Sequence, residues 1–199
     1  MRNTSFFVAG LALILLQSSM FRPIAALHGM LMDFGLTSGF WHWIGYRDAH
    51  LIHATSFVPS LVLPLIVFMG VHEYALARGA FVTFVLGYAT DLTGIAPVGL
   101  FTFTFVAVFV LARAAGVRLA AQTRLMQLVL GFSFSLLHSV MILVLMAIFG
   151  PDPYVPRALY PYALPHALAT AAWSPLVFIV AQRIHAATIR GAEETGVRA

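Results

Sequence analysis

Asp91 is the residue whose type and setting most demand a chemical account. Around it, residues 87–100 read Gly-Tyr-Ala-Thr-Asp-Leu-Thr-Gly-Ile-Ala-Pro-Val-Gly-Leu, and apolar runs at 80–86 and 101–111 flank the stretch. An ionised carboxylate among hydrocarbon is costly unless it is paired, hydrogen-bonded or placed at a helix end. Gly87, Gly94, Pro97 and Gly99 supply such an end, because these residue types stop one helix, turn the chain and start the next. Asp91 then has two uses. It holds a ligand or partner, or, beside Thr90, Thr93 and Gly94, it caps the following turn.

The histidines come next. His72-Glu73-Tyr74-Ala75-Leu76 opens like the zinc-peptidase pattern H-E-x-x-H, but Leu76 stands where the second histidine belongs, so a metal would lack a ligand. His42, Asp48, His50 and His53 share one stretch, and the three-residue spacing of His50 and His53 suits a metal. Histidine is equally ordinary in a tryptophan-rich interfacial segment, and no metal is expected there. His138 and His166, with Thr170 one turn on, either line a polar pocket or bond to neighbouring helices. No nucleophile, base and orienting group converge by spacing, so neither enzymatic activity nor a cofactor is expected.

The elements that position these residues belong to a membrane protein. The chain has 199 residues, 61% hydrophobic and 9% charged, with mean hydropathy +0.93, against a charged share of about 25% in soluble domains. Its length accommodates about six helices of roughly 20 residues, hence an all-α polytopic bundle forming a single transmembrane domain over 1–199. All 11 basic residues are arginine and they are scattered, which argues against nucleic acid as a partner. Cysteine is absent, excluding disulfides and thiolate chemistry.

Residues 5–21 form the first apolar run and read as an uncleaved span, since Gln17-Ser18-Ser19-Met20 offers no cleavage pattern. Residues 22–53 read as an outer interfacial segment, with Trp41, Trp43 and Tyr46 as belt residues. The second span is expected over 54–71, bent at Pro59 and Pro64, whose missing N–H groups leave carbonyls for a neighbour. The third, 80–91, and fourth, 98–113, are short and make a tight hairpin at 87–100. The fifth is Arg124–Phe149, ended by Gly150-Pro151-Asp152-Pro153. The sixth covers 161–183, and 184–199 is a cytoplasmic tail whose polar end, Arg190–Ala199, is expected to fray.

Six spans put Arg2, Arg78, Arg113, Arg118, Arg124, Arg183, Arg190 and Arg198 on one side, and Arg22, Arg47 and Arg157 on the other. The positive-inside bias then makes both termini cytoplasmic. Gly131, Ser135 and Ser139 on the fifth span, and Ala163, Ala167 and Ala171 on the sixth, repeat every four residues. Small residues in register let two helices pack closely. Phe101, Phe105 and Phe109 form a stripe that faces lipid or a partner, and with Trp43 it makes a candidate partner surface.

The order of three motifs resembles the rod-shape-determining protein MreD family. They are Leu15-Leu16-Gln17-Ser18-Ser19, then Gly87-x3-Asp91-Leu92-x-Gly94-x-x-Pro97-x-Gly99-Leu100, then Ser174-Pro175-Leu176-Val177-Phe178 before Arg183. The chain departs from the family in the long 22–53 segment between its first two spans, which family members join briefly. The resemblance implies a non-catalytic scaffold of the cell-elongation complex, multi-pass in a bacterial inner membrane and surrounded by its lipid. It also implies an MreC-like single-pass partner and, through it, MreB-like actin and the peptidoglycan synthases. The implied fold is similar to the six-helix substrate-binding subunits of energy-coupling-factor transporters. The alternative is a small-molecule-binding membrane subunit of a transporter, with a pocket near Asp91, His138 and His166.

Overall fold

A computed structural model of the chain describes residues 2–20, 22–24, 26, 57–72, 75–93, 97–115, 123–150 and 155–194. The described elements are helices: α1 Arg2–Ser19, α2 Val62–Val71, α3 Leu76–Thr93, α4 Leu100–Ala114, α5 Arg124–Phe149 and α6 Val155–Glu194. Three stretches, Thr4–Ile24, Arg124–Phe149 and Leu159–Thr188, are long and apolar enough to cross a membrane. The chain is thus a helical protein of membrane character. Apart from 22–24 and 26, the outer segment at 22–53 lies outside the described residues, and Trp43 with it.

Helix α2 is the hub. It touches each of the other five helices, and those five close a ring around it in the order α1, α3, α4, α5, α6. All ten of its residues are buried. The reason lies in Val-Leu-Pro-Leu-Ile-Val-Phe-Met-Gly-Val, which presents no polar side chain in any direction, and a helix apolar all round belongs in a core. Phe68 of α2 stacks on Phe6 of α1 at 6.1 Å between ring centroids and meets Phe178 of α6 edge-on at 5.8 Å.

Three expectations need correcting. The second span was expected to be a bent helix over 54–71, but the α-helix occupies only Val62–Val71, and residues 58–61 lie outside any helix. Pro59 and Pro64 explain this, since neither can donate to a preceding turn and each disfavours helical backbone in the residue before it. At 1.5 Å per residue α2 is about 15 Å long, half of a hydrocarbon core of roughly 30 Å. The sixth span was expected to end at residue 183, but α6 continues to Glu194, into the polar tail. Its extension is rich in alanine and other good helix formers, and the Thr188 hydroxyl bonds back to Ile184 O at 3.0 Å. Finally, Phe105 and Phe109 are 1% and 0% exposed and Phe101 is half-buried. Phe105 and Phe109 lie inside the ring against α2 and α5 and offer a partner no surface; the exposed large residues of α4 include Phe103, Val110 and Leu111.

Candidate functional site

Asp91 sits in the last turn of α3, 2% exposed, and spends its carboxylate on α4. Oδ2 accepts the N–H groups of Gly99 at 2.9 Å and Thr102 at 3.1 Å, together with the Thr102 hydroxyl at 2.5 Å. Oδ1 accepts the Phe101 N–H at 2.9 Å. These amides are among the donors that the first turn of a helix leaves without an internal acceptor. The negative charge also faces the positive end of the α4 dipole. Asp91 therefore caps a helix that begins nine residues after it, holding the α3–α4 hairpin shut.

The other residues of the turn serve the same closure. Gly99, the residue before α4, has φ of 100°, in the left-handed region where a side chain is disfavoured. Gly87 lets α3 lie on α4 without a gap, because a Cβ there would sit 2.6 Å from Thr102 Cα. Pro97 is exposed, and its carbonyl accepts the Leu100 N–H at 3.2 Å. Thr90 and Thr93 bond back to their own helix, to Leu86 O and Thr90 O, so they do not help to hold the carboxylate. Gly94 lies outside the described residues.

A second polar cluster surrounds the non-helical backbone that leads into α2. The Ser60 N–H donates to Thr170 Oγ1 at 3.0 Å, and the Leu61 N–H donates to Gln17 Oε1 at 3.1 Å. His166 donates through Nδ1 to Val58 O at 2.8 Å. Irregular backbone inside a membrane bundle survives only when protein or water takes up its polar groups. Here α1 and α6 do so. The sequence signal was the proline pair, which keeps residues 58–61 out of a helix and so leaves the Val58 carbonyl for a neighbour. Gln17 as the partner of Leu61 carried no signal, since 44 residues separate them.

His138 of α5 is buried, its ring 5.9 Å from that of Phe101 and 5.1 Å from that of Phe105. Ser135 is buried one turn before it. The small-residue faces bring α5 and α6 into the most extensive interhelix contact. Gly131 meets α6 directly, since a Cβ there would fall 1.8 Å from Ser174 Oγ and 3.4 Å from Ala171 Cα. Ala167 and Ala171 are buried, while Ala163 and Ser139 are half-buried towards the ends of the contact. Among the described residues no group of three or more metal-binding side chains comes together.

The class defined by these features is a helical membrane bundle whose hairpin is closed by one carboxylate. Comparison of the chain with protein-family models, with curated proteins and with solved structures finds no match.

Proposed function

We propose that this chain is a non-catalytic inner-membrane scaffold of the bacterial cell-elongation complex, of the MreD type. In this reading all six helices span or line the membrane region, both termini are cytoplasmic, and the bundle is similar to energy-coupling-factor substrate-binding subunits. It works by association with an MreC-like single-pass protein, and through it with MreB-like actin and the peptidoglycan synthases. One observation carries the reading: Gly87, Asp91 and Gly99, the residues of the middle motif, act together in a single closure of α3 on α4. A carboxylate that accepts four donors from one turn has a structural task, which suits a protein that works by shape.

The test is to co-express the chain with an MreC-like protein and purify through a tag on this chain in detergent. Retention of the partner at constant stoichiometry, weakened by Trp43→Ala in the outer aromatic segment, is the expected result. A wild-type chain that never retains the partner overturns the reading.

A second reading, the membrane subunit of a transporter, is favoured by the half-length α2 with non-helical backbone ahead of it. Broken helices of this kind line substrate sites in transporters. Stoichiometric recovery of a small organic molecule from a chain that retains no partner would favour it.

A further inference from the structure

His138 and Ser135 are buried polar residues that the fold leaves without a use. His138 is 2% exposed, yet neither Nδ1 nor Nε2 has a hydrogen-bond partner among the described residues. A neutral imidazole always carries one donor and one acceptor, so burying both without partners is unfavourable in either tautomer. The Phe101 and Phe105 rings beside it provide apolar walls and no hydrogen-bonding atoms.

Ser135 shows the same pattern. Hydroxyls inside the helices of this chain usually bond back to a carbonyl three or four residues earlier, as Thr90, Thr104, Ser174 and Thr188 do. The Ser135 hydroxyl is fully buried and makes no such bond. It lies three residues before His138, hence on the same face of α5. Gly131, one turn before Ser135 on the same face, packs against Ser174 and Ala171 of α6, so that face of α5 looks onto α6.

Buried polar atoms without protein partners mark places where water or a ligand supplies the missing bonds. We propose that Ser135 and His138 line an internal site between α4, α5 and α6 that holds a small uncharged hydrogen-bonding molecule. That molecule is either water or the hydroxyl or amide end of an organic ligand. The site selects a neutral occupant, since its donors and acceptors are an imidazole and a hydroxyl, and Asp91 is already committed to α4. This inference stands apart from the scaffold reading, because a scaffold can also carry an internal site.

The experiment uses full-length chain in lipid nanodiscs, labelled with nitrogen-15 at histidine. The His138 ring signals are assigned by their loss in His138→Leu. With the site occupied, the unprotonated His138 nitrogen shows the shift of a hydrogen-bonded acceptor, and Ser135→Ala moves that signal. Exchange cross-peaks to water identify water as the occupant. A stoichiometric organic molecule recovered by denaturing extraction identifies the other source. Occupancy also makes His138→Leu lower the melting midpoint, whereas at a dry site the variant removes orphaned polar atoms and raises it. A nitrogen at the free-acceptor shift, insensitive to Ser135→Ala, overturns the proposal. If His138→Leu does not fold, the signal that moves in Ser135→Ala makes the assignment, and its shift in the wild type decides; no signal that moves overturns the shared site.

Discussion

Asp91 and Thr102 are joined twice through one atom: Oδ2 accepts both the Thr102 N–H and the Thr102 hydroxyl. Thr102 is also the residue against which Gly87 rests. One residue of α4 is thus bonded by the end of α3 and packed, through its backbone, against Gly87. Removing the carboxylate orphans buried donors, so Asp91→Leu should cost at least about 3 kcal/mol. Asp91→Asn should cost less, about 1–2 kcal/mol, because its oxygen can still accept while its amide N–H2 must face one of the present donors. Thermal melting in detergent measures both. Loss of function in Asp91→Asn at normal protein levels would show that the charge does more than hold the hairpin.

Gly87 and Gly99 should fail for different reasons. Gly99 has open space, with no atom within 4 Å of a Cβ placed there, so Gly99→Ala meets only its left-handed backbone and should cost about 1–2 kcal/mol. Gly87→Leu must separate two backbones and should sharply reduce the yield of folded protein. Equal tolerance of the two changes, read by monodisperse recovery in detergent, would contradict the α3–α4 packing.

The contact of Gly131 with Ser174 makes a reciprocal test. A Cβ at Gly131 meets both Oγ and Cβ of Ser174, so Gly131→Ala should lower the melting midpoint. Adding Ser174→Gly removes both colliding atoms and should restore part of the loss. Strictly additive losses in the double variant would mean that the two residues do not touch.

Phe105 is a core residue, not a contact for a partner. Phe105→Ala should destabilise the bundle by about 3–5 kcal/mol, as large-to-small aromatic changes in cores do. Any effect on partner retention should then follow the loss of folded protein. A stable Phe105→Ala chain that loses the partner would return the stripe to the surface.

The arginine asymmetry makes a topological prediction. A reporter active only outside the inner membrane should be silent when fused at Ala199 and active when inserted near Asp152. The opposite pattern would overturn the orientation proposed above.

Much of this molecule was legible residue by residue. Arg124–Phe149 was readable to its ends, because a long apolar run stops at Gly150 and Pro151 and no alternative period competes with it. The helix–turn–helix at residues 87–100 was readable because glycine and proline interrupt helices by local sterics alone. The inward face of each helix was not. In a bilayer both the interior and the exterior of the bundle are apolar, so hydrophobic periodicity cannot separate core from lipid contact. That ambiguity put Phe105 and Phe109 on the wrong side and hid α2 at the centre, although its lack of polar side chains suited either place. Asp91 announced by type that it needed donors, but which donors depended on where α4 folded back. Likewise Gln17, Thr170 and His166 find Leu61, Ser60 and Val58 only once α1 and α6 flank the start of α2. Local sterics and hydropathy act along the chain, whereas hydrogen bonds and close packing act through space, and the ring around α2 is what brings distant residues within reach.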